Sequence, residues 1–111
     1  METTVKDAGK VRVIDLTGEL TIGGPEVALR EAVQGLLNDG HSQILIHMNR
    51  LGRIDSAGLG EMVACKWRVD KRNGAIKLVV PEGHIKNVFI MTQLHKIFEI
   101  FDDELTGVGS F

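Results

Sequence analysis

The chain is short of cysteine and proline, has no long apolar run and shows no large excess of either charge. Each shortage excludes a class of protein. A lone cysteine, Cys65, can close no internal disulfide, which suits a reducing compartment. No apolar stretch approaches the roughly 18 residues of a membrane span. Residues Met1 to Asp7 also lack the hydrophobic segment of a secretory signal, so a cytoplasmic protein without a membrane partner is expected. Thirteen Lys and Arg against fifteen Asp and Glu give a net charge of −2, where a nucleic-acid binder would usually be strongly basic. Nucleic acid is therefore not expected as a partner. His41, His47, His84 and His95 show no H-x-x-x-H spacing, and no G-K-[ST] phosphate loop occurs, so neither metal nor cofactor is expected. No repeat, linker or low-complexity stretch interrupts the chain. What is present is ordinary: 111 residues, 43% hydrophobic and 25% charged, read as one domain over residues 1–111.

Periodicity orders the elements. Val11 to Thr17 reads as a strand, with a weaker strand, Thr3 to Asp7, paired to it across Ala8-Gly9-Lys10. Gly18 to Gly24 reads as a loop that Pro25 ends by opening a helix. Leu29, Val33, Leu36 and Leu37 form one face of that helix, which Asp39-Gly40 stops. Ile44, Leu45, Ile46 and Met48 mark a strand, Gln43 to Asn49, buried on both faces. A connection, Arg50 to Ile54, leads to a second helix ending near Arg72. Its broad apolar side takes in Leu59, Met62, Val63, Cys65, Trp67 and Val69, so Cys65 and Trp67 are expected to pack against the sheet or a neighbour. Ala75 to Val80 is the next strand, and Pro81 starts a short helix with Ile85, Val88 and Phe89 inward. Ile97 to Phe101 alternates as a last strand. The tail from Asp102 begins as a helix would, but Gly107 and Gly109 argue against a long one. The order β-β-α-β-α-β-α-β implies an α/β fold with right-handed crossovers. We expect a mixed sheet of four to five strands with helices packed mainly on one face.

Chemistry concentrates in Asp55-Ser56-Ala57-Gly58-Leu59-Gly60, between an apolar strand and an amphipathic helix. The backbone N–H groups that open a helix are unpaired and its dipole there is positive, so an anion on Ser56 would be tolerated. Such a site can gain about two negative charges without unfolding, which suits a covalent switch. A plainer reading is also open: Asp and Ser are both preferred N-caps, and the glycines would let the loop pack tightly. Two glycines in a first turn sacrifice roughly 1 kcal/mol each relative to alanine. A docked partner, a bound phosphate or tight internal packing would each supply the reason.

These residues resemble the STAS domain family, and more closely its small stand-alone bacterial anti-sigma factor antagonists. The likeness covers nearly the whole chain. It rests on Gly18-Glu19-Leu20, on the strand Ile44 to Met48, and on the hexapeptide opening the helix that follows. It implies a phosphorylatable serine at Ser56. It further implies a partner that is both anti-sigma factor and serine kinase, and a phosphatase that reverses the modification. The unphosphorylated antagonist would capture the anti-sigma factor and free a sigma factor. Thr21 stands where many such antagonists carry an aspartate, Asn49 replaces a common acidic residue, and Ala57 replaces a frequent second serine. Stressosome-type or other kinase-linked STAS scaffolds share the fold and stay open as the alternative.

The expected docking surface comprises Asp55, Ser56, Ala57, Gly58 and Leu59, joined by Glu19, Thr21 and Arg53 from neighbouring segments. Arg50 and Arg53 could pair with a phosphate or an acidic partner, or stand in solvent. A weak homodimer is left open. An enzyme is not expected. Ile54 replaces the first glycine of a G-x-S-x-G elbow, Val63 replaces the third glycine of a dinucleotide fingerprint, and no Asp-His pair is placed to activate Ser56.

Overall fold

The second, third and fourth strands carry buried apolar runs, and the parallel strands are joined by connections of helical length. The resulting chain is known here as a computed structural model describing residues 1–111. Strands β1 (Glu2–Ala8), β2 (Val11–Leu20), β3 (Gln43–Ile54), β4 (Ala75–Val79) and β5 (Ile100–Phe101) form one sheet in the order β1-β2-β3-β4-β5. β1 pairs antiparallel with β2, and the remaining pairs are parallel. Helices α1 (Pro25–Asn38), α2 (Ser56–Asp70) and α3 (His84–Met91) are the crossovers, and α4 (Glu104–Gly109) follows β5. Successive right-handed crossovers that step in one direction along the sheet must stack on one face.

That face holds the main core. Ile14, Leu16, Ile44, Ile46 and Leu78 of the sheet meet Leu29 and Val33 of α1, Met62 and Val69 of α2 and Phe89 of α3. Full burial of each such side chain stabilises by about 1.5–3 kcal/mol. Phe89 and Phe98 pack edge to face, with ring centroids 6.2 Å apart. The opposite face buries Val11, Val13, Leu45 and Val79, capped by Val108 and Phe111 around α4. The mixed five-stranded sheet with helices mainly on one side agrees with the sequence reading.

Four boundaries differ from it. The third helix opens at His84 and not at Pro81, because a turn at Glu82 and Gly83, the latter at φ 141°, comes between them. β2 runs on through Gly18 to Leu20, and β3 absorbs the expected connection as far as Ile54. Their pairing slips between Asp15 and Thr17 and again between Gly18 and Glu19, and such bulges break the period-two alternation that marks a strand. The last strand shrinks to Ile100–Phe101, because Leu94–Lys96 forms a 3₁₀ turn and Phe98 turns into the core. Trp67, expected to pack, is 66% exposed.

Candidate functional site

β2 and β3 end side by side, with Leu20 opposite Ile54 in the parallel ladder. The segment after Leu20 and the hexapeptide after Ile54 therefore emerge together at the C-terminal edge of the sheet, the usual place for sites in parallel α/β folds. Asp55 joins the two. Its backbone is extended (φ −109°, ψ −175°), as an N-cap requires. The Gly58 N–H donates to Asp55 Oδ1 at 2.9 Å, and the Ile22 N–H donates to Oδ2 at 3.0 Å. The Asp55 N–H in turn donates to the Leu20 carbonyl at 3.3 Å. The amide of Gly58, then that of Ile22, holds the Asp55 carboxyl below the usual aspartate range, with smaller help from the Ala57 amide and from Arg53.

Asp55, not Ser56, is thus the helix cap. Ser56 is the first helical residue and is exposed. The helix offers it a positive end, and the cap bond does not use its hydroxyl. Ala57 and Leu59 are half-buried, the latter packed on the core, and Gly58 is buried. A side chain at Gly58 would overlap the Leu20 carbonyl oxygen and crowd Leu20 and Ile54, so this glycine is explained by the close crossing of loop and helix. Gly60 has open space where a Cβ would stand, and no internal contact accounts for it. Glu19 is exposed near the end of β2, in register with the exposed Arg53 of β3. Thr21 is half-buried between Leu20 and the clamped Ile22 amide. Arg50 is exposed on β3, opposite Thr17.

The burial pattern of α2 sets its outward side. Gly58, Glu61, Met62, Cys65 and Val69 face inward, so at 100° per residue Ser56, Gly60 and Trp67 line the opposite stripe, while Val63 is half-buried against the core. Ile22, 74% exposed, stands beside the start of this stripe. The outward placement of Trp67 and the exposure of Ile22 escaped the sequence reading. The available signal was Ile22 in Thr21-Ile22-Gly23, an apolar residue among turn formers.

Glu61 was also missed. It falls on the inward stripe yet is only 6% exposed, and two guanidiniums hold it: Arg30 of α1 at 2.9 Å and Arg68 of α2 at 2.6 Å. Burial pushes its carboxyl up, but the bonds from Arg68 and Arg30 outweigh burial and leave it below the ordinary value. Burial, reinforced by Glu61, pushes the Cys65 thiol up to about 12, so it is no nucleophile at neutral pH. A depression of about 180 Å³ opens between β3 and the start of α3, lined by Met48, Asn49, Pro81, His84 and Ile85. It is below the usual size of a small-molecule site, and none of the hexapeptide lines it. The motif presents a surface rather than a pocket.

Comparison with known proteins fits this geometry. Residues 3–101 match the profile of the family described as "Mlab, STAS domain". The chain belongs to the STAS domain family. A Thermotoga neapolitana protein named as a candidate anti-sigma factor antagonist is 30% identical over 84 residues, covering 76% of this chain and 74% of that protein. The crystal structure of a candidate anti-sigma factor antagonist from Thermotoga maritima superposes with a TM-score of 0.89 at 23% identity, over 97% of this chain and 92% of the other. SpoIIAA, a Bacillus cell fate determinant solved in its phosphorylated form, superposes with a TM-score of 0.71 at 20% identity, over 95% of this chain and 96% of its own. At these identities the two structures establish the fold of this STAS protein. No helix of it is long and apolar enough to cross a membrane.

Proposed function

We propose that this STAS protein is a cytoplasmic anti-sigma factor antagonist switched by phosphorylation of Ser56, with no catalytic step of its own. One observation carries the reading. Asp55 makes the cap and ties down the neighbouring loop, which leaves the exposed Ser56 hydroxyl at a helix N-terminus without structural duty. The names of its relatives support the same reading: one is a candidate anti-sigma factor antagonist, and another was solved phosphorylated.

The unmodified protein captures an anti-sigma factor that is also a serine kinase, and so frees a sigma factor. Ser56, Asp55, Ala57, Leu59, Glu19, Thr21 and Arg53 form the docking surface, with Gly58 backing it from beneath. The kinase then moves the γ-phosphoryl of its ATP to Ser56 Oγ, and the hydroxyl proton leaves to a base on the kinase. Phosphate adds about −1.5 to −2 charge beside the Asp55 carboxylate. Within the domain the helix terminus offsets roughly 0.3–1 kcal/mol of that. Across an interface the group must be desolvated and repels acidic neighbours, and a penalty of about 3–4 kcal/mol weakens binding several-hundred-fold. A serine phosphatase resets the switch.

The test begins with affinity capture on the Ser56→Ala protein as bait. An ATP-binding kinase recovered this way is then titrated calorimetrically against Ser56→Ala and Ser56→Asp. Ser56→Ala is expected to bind as the wild type does, and Ser56→Asp to lose most affinity. Equal binding of the two variants overturns the switch. A homodimer formed through a surface remote from Ser56 is compatible with this scheme.

A further inference from the structure

We propose that β1 is a self-pairing edge, through which two copies join their sheets into one continuous ten-stranded sheet. β1 is an outer strand whose sheet neighbour is β2 alone, and Glu2 to Asp7 are all exposed, Val5 at 44%. Its ladder with β2 is regular and contains no proline or bulge; the one edge-blunting device it carries is charge, at Glu2, Lys6 and Asp7, so a self-pairing must match those charges.

Antiparallel pairing of β1 with its copy about a dyad at Thr4 sets Thr4 opposite itself, Val5 opposite Thr3 and Lys6 opposite Glu2, twice over. Each exposed valine gains a threonine neighbour, and both ion pairs join opposite charges. Of the registers that pair at least five β1 residues with the other copy, this one alone joins opposite charges. Moving the dyad to Val5 places Lys6 opposite Thr4. Moving it between Thr4 and Val5 places Glu2 against Asp7. A dyad through a residue also matches hydrogen-bonding groups with one another, whichever set faces outward. Lys6 already holds Glu104 of α4 at 2.8 Å, and its ammonium has donors to spare for a second carboxylate.

The helix layer allows the approach. Arg30 marks the flank of α1 that faces α2, so at 100° per residue Ala28, Ala32 and Gly35 lie on the flank toward β1. Paired residues share a face, so both helical layers lie on the same side, with these small residues facing one another across the dyad. A Cβ at Gly35 would touch nothing within 4 Å, which leaves room for the second helix. The five paired residues, Glu2 to Lys6, span about 17 Å and make a small interface, so the association is concentration-dependent. The dyad sends the two Ser56 surfaces to opposite ends of the joint sheet, each free to engage a partner.

Sedimentation velocity over a concentration series tests the assembly, with circular dichroism confirming that each variant is folded. Wild type is expected to pass from monomer to dimer. Glu2→Lys sets lysine against Lys6 and should raise the dissociation constant roughly tenfold, whereas Glu2→Gln, which removes the attraction without adding repulsion, should raise it less. Thr4→Cys should form an intermolecular disulfide under mild oxidation, whereas Thr3→Cys should not, and the buried Cys65 does not compete. A protein that stays monomeric at every concentration overturns the inference. So does a dimer indifferent to Glu2→Lys in which Thr4→Cys stays unlinked. The readout is assembly alone, so it can fail while the Ser56 switch stands, and the reverse.

Discussion

Asp55 and Ser56 divide the work at the start of α2. The carboxylate accepts from Gly58 and Ile22, and the hydroxyl is left facing solvent. Both residue types are good N-caps, so local chemistry names the motif without saying which residue caps. The two glycines, equally ambiguous as letters, are separated by their surroundings. Gly58→Ala drives a methyl into the Leu20 carbonyl and should destabilise by about 1–3 kcal/mol, read by chemical denaturation. Gly60→Ala meets open space and should stabilise by up to about 1 kcal/mol, by helix propensity alone.

Helix α2 is an inward wall and an outward stripe, and the two carry different consequences. On its inward side Glu61 ties α1 to α2 through Arg30 and Arg68. Its folded pKa is lowered, so its stabilisation is present above the ordinary glutamate range and is lost as pH falls through the folded value. Glu61→Gln should cost about 1–3 kcal/mol at neutral pH and flatten the acid limb of a stability-against-pH curve below about pH 4.5. On the outward side, Trp67 lies on the Ser56 stripe, 11 residues further on and so about 16 Å along the axis. Trp67→Ala should change stability by no more than about 0.5 kcal/mol. If the stripe docks the partner of the proposed switch, the same variant should lose roughly tenfold in affinity by calorimetry. The sequence reading merged these two sides into one broad apolar face, because Trp67 is as apolar as Met62 and Val69 and only burial separates it from them.

The sheet places both proposed surfaces without letting them interfere: Ser56 lies at the C-terminal edge of the parallel strands, and β1 lies along one side. The order of strands and helices, the one-sided helix layer and the hexapeptide at a helix start were all readable from residues alone, since periodicity, caps and breakers act over a few neighbours. The strand ends were not, because the bulges that carry β2 to Leu20 and β3 to Ile54 arise from pairing between strands. Nor was the clamp of Asp55 on Ile22, which joins residues 33 apart, or the Glu61 bridge to Arg30, 31 apart. Those features depend on which distant groups folding brings within hydrogen-bonding distance. Short-range patterns therefore name the elements and the candidate hydroxyl, while long-range contacts determine what caps the helix, what lies buried and which face is left to a partner.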